Sequence, residues 1–370
     1  MKLKKFFAGV LAAAMMLTVG ATAALAAGET TPNMITADAA TGAANFTRTK
    51  ELKVVSGTAP QNMTFNFTVA AGTADATNHI KAGTVGGDFI QPSVTFSKSG
   101  EEQYTARTDA YSETFNIDLV KLLGNNYNKV GKYAYTIKEN DTKIPGITKD
   151  TKTINMIVSV VNKEKDNLSD ETGYGYYVAL RDNGSQDKTD GKFTNTYNAY
   201  DLEVKKTVKG SFGDLNEEFT FTVTLNKNDS YDDNYAAVTV TSDNNKNGST
   251  LNYGEDMTIT LKHNQKAIFH NLPKGVTYTV TETGTASETP IGTADTGWVY
   301  TTTGEVKTAT AVVAPDATNN QDNKVEIVNE HKGTPDMGVV LDNAPYIALL
   351  AIVAIGGVAL MLNKRRRDEE

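Results

Sequence analysis

Cysteine is absent from the 370 residues of this sequence. No disulfide bond can therefore stabilise the fold, so stability has to come from packing or from another covalent link. Histidine is scarce as well, and the four residues fit neither a metal-ligand spacing nor a pair with a serine or cysteine nucleophile: His79, His263, His270 and His331. We interpret them as ordinary polar residues and expect no metal and no cofactor.

Helical periodicity is almost absent too. Short runs of Val, Ile, Thr, Tyr and Phe alternate with clusters of Asn, Asp, Gly and Lys through the central part of the chain. This pattern is typical of β-sandwich domains. Only residues 115–123 have a pattern compatible with one short helix or an irregular crossover. The sequence predicts an all-β fold made of two tandem immunoglobulin-like β-sandwich domains.

Basic residues are outnumbered by acidic ones, and the formal net charge is −8. An acidic surface argues against nucleic-acid binding, which requires a basic one. The stretch 228–234 has the residue types of a weak calcium site, but it lacks the glycine and the terminal glutamate of an EF-hand loop. We interpret it as a polar loop.

Residues 1–27 have the pattern of a secretory signal peptide. Three lysines precede an apolar stretch at 6–19, and a run of small residues follows at 21–27. The apolar stretch is short for a membrane span, so we expect cleavage after Ala26 or Ala27. The mature chain is then secreted.

A second apolar stretch, 346–362, is followed by four basic residues at 364–367. It is long enough to cross a bilayer, and the basic cluster marks its cytoplasmic side. An ordinary membrane protein with one span would show the same features. A pentapeptide just before the span favours another interpretation: Thr334, Pro335, Asp336, Met337 and Gly338.

The pentapeptide, the apolar span and the basic tip together resemble the three-part sorting signal read by sortases. The usual pentapeptide is Leu-Pro-x-Thr-Gly, so Pro335 and Gly338 are kept. Thr334 and Met337 depart from it, which leaves open the sortase class and the cleaved bond. The resemblance implies that residues 334–370 hold a precursor in the membrane until a sortase attaches it to cell wall peptidoglycan at the cell surface.

The sequence also repeats itself loosely. Three segments recur in the same order: 63–69 as 218–223, 131–139 as 275–282, and 193–195 as 327–329. The repeats predict domains at 44–198 and 199–331. Because almost no linker separates them, we expect a stiff rod.

Each repeat has a lysine, a glutamate and an asparagine at inward-facing strand positions, because residues two apart on a strand share a face. The first set is Lys50, Glu139 and Asn195, and the second is Lys206, Glu282 and Asn329. Burying such groups unpaired is costly. Polar residues emerging at strand ends would explain them, as would a buried ion pair with an asparagine partner. The repeated order favours a third explanation, a covalent reaction.

At these residues the chain resembles the isopeptide-forming fimbrial shaft subunits of Gram-positive bacteria, the streptococcal major pilin family. The resemblance lies in the lysine strand that opens each domain, the strand that ends in glutamate and the closing FTNTY strand. It implies a Lys50–Asn195 bond assisted by Glu139. It likewise implies a Lys206–Asn329 bond assisted by Glu282. The implied partners are sortase, other copies of the chain and a tip or minor pilin.

Physical chemistry supports such a reaction. Burial lowers the pKa of a lysine and raises that of a glutamate, so a neutral amine becomes available as a nucleophile. We expect the protonated glutamate to donate to the asparagine carbonyl and to carry the proton that releases ammonia. Folding supplies the proximity, so each domain reacts once without turnover, and the chain is not an enzyme in the ordinary sense.

Three classes of function remain: a structural pilus subunit, a monomeric wall-anchored adhesin with the same domains, and a surface enzyme, for which no catalytic cluster is visible. Only the polymer requires an exposed acceptor lysine. In the shaft subunits that the chain resembles, this lysine lies shortly before the closing asparagine strand of the first domain. Lys188, in the polar stretch 182–190, is the nearest match. Its rivals are Lys192, Lys163 and Lys165.

Overall fold

A computed structural model gives the architecture of the chain. It describes residues 34–163, 173–183, 185, 187–227, 230–232, 234–285, 301–302, 308–310 and 323–332. Within these ranges no helix has both the length and the hydrophobicity required to span a bilayer. The predicted signal peptide, the sorting pentapeptide and the apolar span at 346–362 lie outside them.

The described part of the chain is almost entirely β-structure. The first thirteen strands are β1 (Ile35–Thr36), β2 (Asn45–Val54), β3 (Thr58–Ala59), β4 (Asn62–Ala71), β5 (Ile80–Ala82), β6 (Ser93–Ser97), β7 (Tyr104–Thr105), β8 (Tyr111–Asp118), β9 (Gly131–Glu139), β10 (Ile147–Thr148), β11 (Thr153–Asn162), β12 (Tyr174–Asp182) and β13 (Phe193–Tyr197). The next ten are β14 (Ala199–Lys209), β15 (Phe219–Asn226), β16 (Val238–Ser242), β17 (Thr250–Leu251), β18 (Asp256–Leu261), β19 (Lys266–Pro273), β20 (Thr277–Thr285), β21 (Thr301–Thr302), β22 (Thr308–Thr310) and β23 (Asn323–Glu330). The all-β prediction is confirmed.

One short helix interrupts the strands in the part of the chain that the structure describes. Helix α1 (Leu119–Leu123) follows β8 directly, and a single 3-10 turn (Gly124–Asn126) follows the helix. The Asp118 carboxylate accepts hydrogen bonds from the N–H groups of Val120 and Lys121, which caps the helix. Only the second half of the predicted segment 115–123 is therefore helical, because its first half completes β8.

Strands β1 to β13 form the first unit. Its larger sheet has the order β1-β12-β11-β9-β4-β6 with β5 beside β9, and its smaller sheet has the order β10-β13-β2-β8. Along β4 the buried residues alternate with exposed ones, so that Met63, Phe65, Phe67 and Val69 enter the core. Strand β1 precedes the predicted start at residue 44 and pairs with β12, so the larger sheet begins earlier than the repeats indicate.

Strands β14 to β23 form the second unit, which has its own buried hydrophobic cluster. The described strands form one sheet of order β17-β16-β19-β14-β23-β21 and another of order β18-β15-β20-β22. The lysine strands β2 and β14 occupy corresponding places. In each unit the lysine strand lies beside a parallel closing strand, β13 or β23, whereas β9 or β20 belongs to the other sheet.

Candidate functional site

The lysine and the asparagine of each set lie on adjacent parallel strands with the same offset. Lys50 pairs with Phe193, and Asn195 lies two residues further along β13. Lys206 pairs with Ile327, and Asn329 lies two residues further along β23. Residues two apart share a face, so each asparagine is the diagonal neighbour of its lysine on the inner side of the sheet.

The glutamate of the first set reaches this pair from the facing sheet. Glu139 is the last residue of β9. Its Oε2 lies 2.7 Å from Lys50 Nζ, and its Oε1 accepts a hydrogen bond of 2.5 Å from Asn195 Nδ2. One carboxylate therefore contacts both the amine and the amide nitrogen. The remaining carboxamide atom, Asn195 Oδ1, accepts a hydrogen bond of 2.8 Å from the main-chain N–H of Asp150.

The second set repeats the arrangement. Both carboxylate oxygens of Glu282, from β20, lie 3.1 Å from Lys206 Nζ. Its Oε1 also accepts a hydrogen bond of 2.6 Å from Asn329 Nδ2. Among the residues that the structure describes, Asn329 Oδ1 is buried without a hydrogen-bond partner.

Both sets are enclosed by the hydrophobic cores. The two lysines and the two asparagines are completely buried, and only 5% of Glu139 and 3% of the Glu282 side chain are exposed. Aromatic rings form the walls: Phe65 has its centroid 5.0 Å from Lys50 Nζ, and Phe219 has its centroid 4.0 Å from Lys206 Nζ. The alternation pattern thus predicts the side on which these groups lie, and the enclosure excludes bulk water from them.

Burial changes the proton affinities of both pairs. It lowers the pKa of Lys50 and of Lys206 to about 8, although the neighbouring glutamates act in the opposite direction. Burial also raises the pKa of Glu139 and of Glu282, against the effect of the two lysine charges. Each shift favours the neutral form of its group, because a charge in an apolar interior loses its hydration. A proton transfer from the lysine to the glutamate is therefore made easier in each unit.

The contacts of the glutamates differ from the sequence-based expectation. We expected the carboxyl group to donate to the asparagine carbonyl, but Glu139 and Glu282 contact the amide nitrogens instead. The Asp150 N–H can only donate a hydrogen bond, so the acceptor oxygen of Asn195 faces Asp150. The amide nitrogen of Asn195 therefore faces Glu139. This geometry suits a glutamate that moves protons between the two nitrogens. Stabilisation of the carbonyl oxygen then has to come from another group.

The candidate acceptor lysines differ in exposure. Lys188 is exposed and forms an isolated bridge with Arg181, next to the end of β12. Lys192 lies 3.3 Å from a carboxylate oxygen of Glu51, which engages its amine. Lys163 is half-buried, and Lys165 lies outside the described residues.

Two polar features were missed by sequence reasoning. Asp150 lies in an irregular connection, so no periodicity relates it to Asn195. His270 Nδ1 lies 2.6 Å from Asp201 Oδ2, and its Nε2 lies 2.9 Å from Thr241 Oγ1. Asp201, His270 and Thr241 lie on β14, β19 and β16, so these contacts link three adjacent strands. Only the order of strands in the sheet, which the sequence does not reveal, brings such residues together.

The residues that the structure describes include no group of three or more His, Cys, Asp or Glu side chains able to hold a metal ion. Of the acidic stretch at 228–234, the structure describes only residues 230–232 and 234.

Comparison with known proteins shows what the two units resemble. Residues 46–198 match the family described as the Spy0128-like isopeptide containing domain. The chain is also 28% identical over 338 residues to a pilin of Streptococcus pyogenes serotype M1, covering 87% of this chain and 91% of that pilin. The chain contains a Spy0128-like isopeptide domain and is similar to pilins. Residues 200–331 match a family described as a domain of unknown function, DUF7601.

Solved structures support the fold of this chain. The major pilin from Streptococcus pyogenes matches it with a TM-score of 0.51 at 22% identity, covering 78% of this chain and 99% of that one. A mutant of the same major pilin matches with a TM-score of 0.52 and the same identity and coverage. At this level of identity the likeness establishes the shared β-sandwich architecture.

Proposed function

We propose that this chain is a structural subunit of a covalent surface pilus, polymerised by sortase and stabilised by two internal isopeptide bonds. The bonds join Lys50 to Asn195 and Lys206 to Asn329. One observation carries the proposal: in each unit a single buried carboxylate contacts both the lysine amine and the asparagine amide nitrogen. The proposed domains are those predicted from the repeats, 44–198 and 199–331.

The same chemistry applies in both units. The glutamate takes one proton from the lysine ammonium, and the neutral Nζ attacks the asparagine Cγ. As the new C–N bond forms, an electron pair moves onto Oδ1. The glutamate gives its proton to Nδ2 and takes the second proton from the attacking nitrogen. The carbonyl then re-forms, the Cγ–Nδ2 bond breaks and ammonia leaves, so the glutamate ends protonated.

A buried ion pair without reaction is the competing interpretation. Such a pair gives little net stability, because the cost of removing two charges from water offsets their attraction. A fold that keeps the pair twice, with the same diagonal asparagine each time, therefore calls for another role. Reaction removes the lysine charge altogether and replaces two buried polar side chains by one amide.

The proposed bonds have a mechanical consequence. Each joins the opening and closing strands of its unit, β2 to β13 and β14 to β23. Force applied through the chain ends would thus pass through a covalent link between adjacent strands. Each link also closes a loop of more than a hundred residues, for which the loop-entropy model gives about 5 kcal/mol of stabilisation.

The ends of the chain complete the proposal. Residues 1–27 direct secretion, and residues 346–362 hold the precursor in the membrane. Thr334 to Gly338 form the sortase site, and the product is a pilus on the cell surface attached to peptidoglycan. Sortase, other copies of the chain and a tip or minor pilin are the proposed partners.

Denaturing gel analysis of cell wall extracts tests this function. A covalent polymer gives a ladder of high-mass bands that contain this chain and that disappears when the sortase is deleted. A monomeric wall-anchored adhesin, the alternative, gives one band in the same extract. A single band from cells that express the intact sorting signal would overturn the polymer proposal.

A further inference from the structure

The connection between β9 and β11 brings a main-chain N–H to the first reacting centre. Asp150 N donates a hydrogen bond of 2.8 Å to Asn195 Oδ1. The connection turns at Gly146, where φ is +83° and a Cβ would lie only 2.5 Å from the Tyr197 ring. Glycine is therefore required at this turn, because an L-residue would be strained there and would clash.

The Asp150 side chain holds this N–H in place. Its Oδ2 accepts a hydrogen bond of 2.9 Å from Thr194 N, the residue next to Asn195. Its Oδ1 accepts one of 3.0 Å from Lys152 N, and Lys152 Nζ lies 3.2 Å from Oδ2. The Asp150 carboxylate therefore connects two residues of its own loop, through Lys152, and connects this loop to β13, through Thr194.

Charges of both signs lie near this contact. Burial acts to raise the pKa of Asp150, but the hydrogen bonds from Thr194 and Lys152 lower it overall, so the side chain stays an acceptor. The Asp150 and Lys152 charges affect the Lys50 pKa in opposite directions. The N–H of Asp150 is the group of this loop that donates a hydrogen bond to Asn195 Oδ1.

We propose that the main-chain N–H of Asp150 stabilises the oxyanion that forms on Asn195 Oδ1 during bond formation, and that the Asp150 carboxylate positions it. This inference rests on the proposed function. When Lys50 Nζ attacks Cγ, the electron pair of the carbonyl moves onto Oδ1, where the N–H already donates. Glu139 meanwhile moves the protons between the two nitrogens. A preorganised donor of this kind lowers the barrier because it needs no rearrangement as charge develops.

Cell-free synthesis followed by a timed chase tests the proposal, because the bond forms once and cannot be re-formed from mature protein. The Lys50–Asn195 and Lys206–Asn329 cross-linked peptides are quantified by mass spectrometry at each time. In one variant, Asp150 is replaced by its α-hydroxy acid analogue, which keeps the side chain and removes only the N–H. The second unit in the same molecule is the internal control.

We expect the analogue to slow the Lys50–Asn195 bond by about 10²-fold or more, the usual effect of removing one oxyanion donor, without changing the Lys206–Asn329 bond. We expect D150A to slow the first bond as well, and D150N to restore most of the rate because its single carboxamide oxygen can still accept the hydrogen bond from Thr194 N. A purely structural role predicts equal losses for both side-chain variants.

Each outcome of these experiments is decisive. A slow first bond in the analogue, with the first unit still resistant to protease, supports the proposal. An unchanged first bond in the analogue overturns it. Should the analogue fail to fold, D150A and D150N decide, since equal rates in both would overturn the positioning role. Absence of both bonds in the unmodified chain would instead refute the proposed function itself.

Discussion

Lys50 and Asn195 lie on adjacent parallel strands, offset by two residues, and Lys206 and Asn329 stand in the same relationship. The offset is what places a long lysine side chain diagonally opposite an asparagine on the inner face. A glutamate from the facing sheet then contacts both nitrogens. The two reacting strands thus belong to one sheet, whereas the group that moves protons belongs to the other.

The glutamates provide the first prediction. E139Q and E282Q keep the shape of the side chain but cannot carry protons between the nitrogens, so each variant should lack one bond and keep the other. After correction for the substitution itself, the intact mass of each variant should exceed that of the unsubstituted protein by one ammonia, because one bond has not formed. The free energy of unfolding should fall by up to about 5 kcal/mol per lost bond. K205A is the matched control, because Lys205 is partly exposed beside Lys206 and should change neither quantity.

The unreacted lysine gives a prediction about pH. In N195A no bond can form in the first unit, so Lys50 keeps its amine. Burial lowers its pKa from 10.5 to about 8 in the folded chain. Between these values the unfolded chain binds more protons than the folded one, so the free energy of unfolding should rise with pH.

The size of the rise in the free energy of unfolding follows from the shift in the Lys50 pKa. Relative to the double variant K50M/N195A, which lacks the titrating group, N195A should gain up to about 3 kcal/mol between pH 7 and pH 10.5. Chemical denaturation at a series of pH values measures both curves. A difference that is flat or that falls with pH would show that the Lys50 amine is not buried before reaction.

The acceptor lysine provides a third prediction. K188R keeps the positive charge but has no primary amine, so it should abolish the high-mass ladder while wall attachment of the monomer continues. K192R is the matched control, since Lys192 is engaged by Glu51 and Asp190 and should polymerise normally. An unchanged ladder in K188R would exclude this position as the acceptor.

The sorting pentapeptide provides a fourth prediction. Deletion of residues 335–338 should leave the chain in the membrane fraction, because the sortase has no bond to cleave while the apolar span is retained. Cell fractionation and immunoblotting measure this. The chain with the intact pentapeptide is the control, and attachment of the pentapeptide deletion to the wall would show that the anchor lies elsewhere.

Much of this account can be predicted from the sequence, because strand alternation is a local property. The inward faces of Lys50 and Lys206 follow from the apolar residues two positions away, and the similarity to pilins follows from the short motifs in order. The Asp150 contact cannot be predicted in this way. It depends on how an irregular connection closes over β13, and irregular segments carry no periodicity.

The contacts of Glu139 cannot be predicted from the sequence either. Its position on the inner face follows from Tyr135 and Ile137, but which atom of Asn195 it meets depends on the Asp150 N–H on the opposite side. Strand β1 is a similar case, because two residues carry too little pattern to be recognised before their pairing with β12 is known.

Intact mass measurement of the purified ectodomain tests the central claim most directly. Two internal isopeptide bonds predict a mass lower than the sequence mass by two ammonia molecules, with fragmentation placing one cross-link between Lys50 and Asn195 and the other between Lys206 and Asn329. A mass equal to the sequence mass, in protein that is fully folded, would contradict the account.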